Sequence, residues 1–402
     1  MKQKHLLVVS QYFYPETFRI NDMCAEWVKR GYKVTVVTGI PNYPQGKFYR
    51  GYGVFKKRKE IWNGVDIIRL PLVARGKTVV GLALNYMSFA VSGFFWKCFT
   101  KLRADAVFTF EVSPMTQALV GVWFAKRRKI PHLIYVQDLW PENLETVAGI
   151  RSKLVIGPVS RMVNSIYKRS AKIFATSPSF VEEIRKRTVG EEEKVVYWPQ
   201  YAEDFYLPLP QKAVDDIPDD GRFKIIFTGN IGQAQGLEVL PQTAKLLKAQ
   251  GKNDVLFAVV GDGRHKDSFA AEIEAAGVSD MFCLTGRKPA EEIPKYLAAC
   301  DAAFVSFAKE PLFEKTIPAK LQSYMACGMP IVASATGETE RVIGEAKCGM
   351  CCETGNAEEL ARGIMELRSM NLAEMSVNAR SYFEKHFSKQ KLMDIMDGYL
   401  KG

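Results

Sequence analysis

At 402 residues the chain exceeds the roughly 250–300 at which single cores stop growing, so two domains are expected. Its 47% apolar and 25% charged residues exclude a disordered or fibrous chain, and eight cysteines over this length exclude a disulfide framework. The net charge of +11 is uneven: residues 1–200 hold 32 Lys+Arg against 15 Asp+Glu, leaving 23 against 29 for the rest. The first half therefore favours an acidic partner, such as an anionic membrane surface or a phosphorylated lipid. Nothing in it resembles an RNA- or DNA-reading module, so nucleic acid is not expected.

The chain opens with MKQKHLLVVSQYFYPE, whose four-residue apolar run is too short for the core of a signal peptide, and a cytoplasmic location is expected. Apolar runs follow at 6–10, 34–38, 65–70, 106–110, 132–136, 172–176 and 195–198, with helical patterns such as 20–30 and 178–187 between them. This alternation predicts a doubly wound parallel sheet. The first run leads into Ser10-Gln11-Tyr12-Phe13 instead of G-x-G-x-x-G, which argues against a dinucleotide-dependent oxidoreductase.

Residues 78–96 carry no charge and are flanked by Lys77, Lys97, Lys101 and Arg103. A membrane span is the sharp reading, but Gly81, Asn85, Ser88 and Ser92 recur at helical spacing as a narrow polar stripe. A core helix or one lying on a bilayer surface fits that stripe better. The proline-rich, acidic segment 206–221 then breaks all periodicity and reads as an interdomain linker. The second half starts a fresh sheet near Lys224, its strands ending in Gly229-Asn230-Ile231-Gly232 and Gly261-Asp262-Gly263-Arg264, and residues 356–400 close in helices. Glycine-ended strands place backbone N–H groups and helix N-termini along one rim of a sheet, which suits an anionic ligand. Cys348 and Cys351 have metal-ligand spacing, but no second pair completes a zinc set, so buried apolar thiols are expected.

The order GNIG, VGDGR, TGRKP, PAKLQSYMACGMPIVAS and GETERVI resembles the retaining nucleotide-sugar glycosyltransferases of family four. SQYFYPETFRINDMCAEWVKRGYKVTVVTGIPNYP, NGVDIIRLP and YVQDLWPE look like the acceptor-side domain of that family. Within it, the chain is most similar to bacterial enzymes of O-antigen, capsule and colanic acid synthesis, particularly the N-acetylfucosamine transferase branch. The resemblance implies an α/β GT-B fold, with two Rossmann-like doubly wound domains facing each other across a cleft. Residues 1–205 would form the acceptor side, with a C-terminal helix at 385–402 as the candidate to complete it, and 222–384 the donor side. It also implies metal-independent transfer of a sugar, with a nucleoside diphosphate sugar, expected to be a UDP-sugar, as co-substrate and no cofactor. The acceptor would be a polyprenyl pyrophosphate-linked saccharide, met at the inner face of the cell membrane.

Against the family pattern, an arginine is replaced by Asn230, a lysine by Gln235, and two glutamates by Lys315 and Ser323. A diphosphate without cations is poorly stabilised, so charge must come from elsewhere. Lys315 and Lys320 bracket Thr316-Ile317-Pro318 ahead of a helix beginning near Ala319, and this loop is the first candidate. Arg264 and Arg287 are next; Arg287 also matches the nucleobase loop, and Ser323 keeps a hydroxyl for the ribose. Gly229 would let the diphosphate approach the backbone. By the same resemblance, Gln137 orients the donor sugar, Asp138 receives the acceptor proton unless it caps the following helix, Glu142 is the second choice, Glu314 meets a donor-sugar hydroxyl if the register slips by one residue, and Arg19 either adds a cation or forms a surface ion pair with Glu16. A UDP-sugar 2-epimerase on the same fold and a noncatalytic nucleotide-binding scaffold are the rival readings.

Overall fold

A computed structural model describes residues 3–76 and 78–401; Lys77 lies outside the described residues. The chain divides into two compact units, residues 1–198 and 199–402.

In the first unit the strands are β1 (His5–Val9), β2 (Lys33–Gly39), β3 (Lys59–Trp62), β4 (Val65–Leu70), β5 (Ala106–Glu111), β6 (His132–Val136), β7 (Lys172–Ala175) and β8 (Val195–Tyr197). They form one eight-stranded sheet in the order β3-β4-β2-β1-β5-β6-β7-β8. All neighbours run parallel except β3, which pairs antiparallel with β4 from Lys59↔Ile68 to Trp62↔Val65. The sequence reading missed β3 because KEIW is short and mostly polar. Its signal was Asn63-Gly64, both at positive φ, the two-residue turn that matches strand twist in a hairpin. The central strands are buried along their whole length because helices cover both faces, so their sequences read as continuous apolar runs.

The charge-free segment forms the helix Val79–Phe99, long and apolar enough to cross a membrane by length and composition. Its polar stripe lies on the packing face, beside the buried Phe89, Ala90 and Gly93. Asn85 is fully buried and donates to the Val73 carbonyl (2.6 Å), Ser88 Oγ accepts from the Val73 N–H (2.9 Å), and Ser92 donates to the Pro71 carbonyl (2.6 Å). The opposite side, with Val80, Leu84, Met87, Val91 and Phe95, stands exposed. One side is therefore packed on the unit, with Phe89 in its core, while the other is exposed.

The second unit holds β9 (Phe223–Asn230), β10 (Val255–Asp262), β11 (Phe282–Leu284), β12 (Ala302–Ser306), β13 (Ile331–Ser334) and β14 (Gly349–Cys352). They form a parallel six-stranded sheet in the order β11-β10-β9-β12-β13-β14. Both units are thus Rossmann-like. Segment 206–221 is not a free tether: Ile217 is buried in the second unit's core, and the Asp216 carboxylate accepts from Lys288 Nζ (2.8 Å) and the Tyr296 hydroxyl. Its prolines stop regular structure but not packing. The helix Lys389–Lys401 also falls in this unit. Cys348 is buried and Cys351 only half-buried; burial pushes the Cys348 thiol up to about 12 and raises that of Cys351 as well, which keeps both protonated.

Candidate active site

In each sheet the strand order reverses at one point, and the crevice beyond the strand ends there is where open α/β sheets take ligands. In the second unit it lies between β9 and β12. The two glycine loops sit at this rim in register, Gly261 beside Gly229 and Asp262 beside Asn230. A Cβ on Gly261 would lie 1.9 Å from the Gly229 carbonyl oxygen, and one on Gly263 would lie 2.2 Å from that of Ile231. These glycines are required for one loop to lie against the other, whatever else binds there. The short turn Gln233–Gln235 is fastened to the end of β12, since Ser306 Oγ donates to the Gln235 carbonyl (2.6 Å) and the Ala308 N–H to that of Ala234 (3.1 Å).

Lys320 is the second residue of the helix Ala319–Ala326, which is suspended from β9 by the Tyr324 hydroxyl accepting from the Thr228 N–H (2.8 Å). From there its amine donates to Gln235 Oε1 and lies 3.8 Å from the centre of the Phe227 ring. The expected cation at position 235 is thus absent from its own turn, and an amine reaches that place from another element. Burial lowers the Lys320 pKa to about 7. The ring face offers an ammonium only about 0.5–2 kcal/mol, too little to offset desolvation.

The other donor-side candidates are less uniform. Gly229 and Asn230 are exposed at the end of β9, and Arg264 and Arg287 are exposed in the turns after β10 and β11. Lys315 follows the short helix Pro311–Glu314. Glu314 is exposed and its Oε1 accepts from Thr336 Oγ1 at 3.5 Å. The Thr316 hydroxyl donates to the Leu312 carbonyl (3.0 Å), and Ile317 is a core residue at 2% exposure, so only its backbone is available to a ligand. Ser323 Oγ donates back to the Ala319 carbonyl (3.2 Å), leaving its lone pairs as the free function.

In the first unit the reversal lies between β1 and β5. Here a chain of buried amides links Gln11, Asn85 and Gln117. Gln117 Oε1 accepts from the Gln11 N–H (2.7 Å), and Gln11 Nε2 donates to Asn85 Oδ1 (2.7 Å). Asp138, two residues past β6, accepts from the Ser113 N–H (2.7 Å), and burial raises its pKa. It does not cap the following helix Glu142–Ala148, whose N-cap is Pro141. Gln137 donates its N–H to the Glu111 carbonyl (2.8 Å), and Glu142 pairs with Arg187 (2.6 Å). Arg19 begins the helix Arg19–Lys29 and acts electrostatically on Tyr135. Glu16 is buried and accepts from the Asn42 and Tyr43 N–H groups (2.7 and 2.6 Å).

Comparison with known proteins agrees with this architecture. Residues 17–200 match the glycosyl transferase 4-like domain and residues 212–386 the glycosyl transferases group 1 family. Both units are glycosyltransferase domains, and the chain has the GT-B fold. A probable glycosyltransferase, WbjE of Pseudomonas aeruginosa, is 28% identical over 64% of this chain and 64% of its own length. WcaI of Escherichia coli, a putative colanic acid biosynthesis glycosyl transferase, is 25% identical over 96% of this chain and 97% of its own. Among solved structures, Anabaena HepE in complex with UDP and glucose superposes with a TM-score of 0.70 at 14% identity, covering all of both chains.

One group in these glycosyltransferase domains escaped sequence reasoning. Glu111, the last residue of β5, is fully buried, and neither carboxylate oxygen has a hydrogen-bond partner among the described residues. Burial first, and the Asp138 charge second, hold it well above the usual carboxylate range, while the nearby N–H groups of Asp138 and Gln137 work the other way. The only signal was an acidic residue closing an otherwise apolar strand. Gln11, Asn85 and Gln117 carried none, because an amide is ambiguous until its partners are known.

Proposed function

We propose that this chain transfers a sugar from a UDP-sugar, an N-acetylated deoxysugar being our candidate, to a polyprenyl-linked saccharide in bacterial surface polysaccharide synthesis. Transfer proceeds with retention and without a metal or cofactor. The observation that carries the reading is Lys320, whose amine stands at the β9–β12 switch point beside Gln235, where a diphosphate needs a cation. The helix N-terminus at Ala319 supplies N–H groups to the same anion. Arg264 and Lys315 add charge, Arg287 and its loop take the base, and Ser323 accepts from the ribose. The UDP and glucose of HepE and the colanic acid role in WcaI's name support donor and pathway.

Leaving-group charge is met by these fixed groups. Gln137 and Glu314 orient the sugar, and Asp138 takes the proton of the acceptor hydroxyl as its oxygen bonds to the anomeric carbon and the bond to UDP breaks. The exposed apolar side of Val79–Phe99 and the cations Lys97, Lys101 and Arg103 suit an anionic bilayer at its cytoplasmic face, where such a lipid resides. Incubation of UDP-sugars with lipid-linked acceptors should yield a lengthened lipid-linked product with the donor's anomeric configuration. Epimerised donor without acceptor, or binding without turnover, would contradict the reading. Sedimentation with vesicles should rise with anionic lipid and fall with salt.

A further inference from the structure

We propose that Lys320 waits in the empty donor site as an uncharged amine and takes up a proton when the diphosphate binds, with Gln235 as the residue that positions it. The proposal rests on the reading above that the diphosphate lies at this rim.

The amine has no counter-charge in the empty protein. Its contacts are an aromatic face, Phe227, and a neutral carbonyl oxygen, Gln235 Oε1. No Asp or Glu among the described residues forms an ion pair with it. The elements packed around it bring no compensating charge: the helix Leu372–His386, packed on the same helix, places Arg380 at its far end, on the Ala326 carbonyl (2.6 Å). β9 contributes Phe227 and Thr228, the Gln233–Gln235 turn contributes amides, and β12 contributes the Ser306 hydroxyl. On its own helix the one titratable neighbour is Tyr324, whose hydroxyl is engaged by the Thr228 N–H and whose pKa is itself raised by burial. Lys315 and Glu314 precede that helix, and Glu314 is exposed with Thr336 at its carboxylate.

Position matters as well. The second residue of a helix sits in the positive end of the helix dipole, which disfavours a cation and favours an anion. Burial alone brings the amine to about 7. A diphosphate entering this place supplies the missing negative charge, so the amine binds a proton from solvent and becomes an ammonium; no covalent bond changes. The same linkage fixes the sign of the pH dependence. Affinity is full below the empty-site pKa and falls by about tenfold per pH unit above it, until the pKa of the complex is reached. The device spares the empty enzyme a partly buried, unpaired charge.

Calorimetric titration with UDP near pH 8, in buffers of low and high ionisation enthalpy, reads proton uptake directly. At that pH the terminal phosphate of UDP is already ionised. Wild type should take up close to one proton, with Kd rising roughly tenfold over the next pH unit. Lys320→Arg, permanently charged, should bind without uptake and with a flat pH profile. Gln235→Glu should charge Lys320 beforehand and so lower the uptake. UDP binding by wild type without proton uptake would overturn this inference while leaving the donor site standing, as would full uptake in Lys320→Arg. No UDP binding by wild type would defeat the donor-site reading and this inference with it.

Discussion

The two switch points are built from opposite materials. In the second unit the rim is backbone and glycine, and the partly buried side chain of Lys320 is held there by Gln235 Oε1. In the first unit the rim is side chains: a chain of amides from Gln11 to Asn85 and Gln117, the half-buried carboxyl group of Asp138, and the buried one of Glu111, which lacks hydrogen-bond partners among the described residues. A buried polar group without a partner costs about 1–3 kcal/mol, so the first rim is the less stable design. Under the proposed function, that difference would suit a donor side that binds a fixed diphosphate and an acceptor side that handles protons.

The contrast can be broken experimentally. The largest effect is expected from Asp138→Asn, which should lower turnover on the order of 100-fold while leaving UDP affinity unchanged, as comparison of kcat with UDP titration would show. An equal loss in UDP affinity would mean that the two rims do not divide the work. A smaller effect separates two buried tyrosines. Tyr324→Phe strands the Thr228 N–H and should cost about 1–3 kcal/mol, whereas Tyr167→Phe, whose hydroxyl has no partner among the described residues, should be neutral or stabilising by denaturant unfolding. Smallest is Glu111→Gln. Because the folded pKa of Glu111 lies above its unfolded value, its ionisation opposes folding as pH rises. The variant should therefore gain roughly 2–4 °C in Tm near pH 8 and less near pH 5. A loss of stability at pH 8 would show that the carboxylate is paired.

The second unit was the more legible in sequence, and the reason is physical. Gly261 and Gly263 are required by backbone contact with the neighbouring loop, so their order along the chain marks the fold directly. Apolar runs located β1, β2 and β4 to β8, because strands buried on both faces must be apolar throughout. The strand β3, half exposed, escaped for the same reason. The stripe through Asn85, Ser88 and Ser92 was visible as spacing, but which side it faced needed the Val73 and Pro71 contacts. Lys320 was named from sequence as a neighbour of the Lys315 loop; that its amine meets Gln235, 85 positions earlier, is a tertiary fact that spacing cannot carry.

The claim that Lys320 now serves where position 235 lacks a cation is tested most directly by UDP titration of Lys320→Ala beside Asn230→Ala near pH 7. Loss of a charge-assisted contact predicts UDP affinity weakened by about 10- to 150-fold in Lys320→Ala and by no more than about threefold in Asn230→Ala. Equal, small losses in both would place the diphosphate elsewhere and contradict the account.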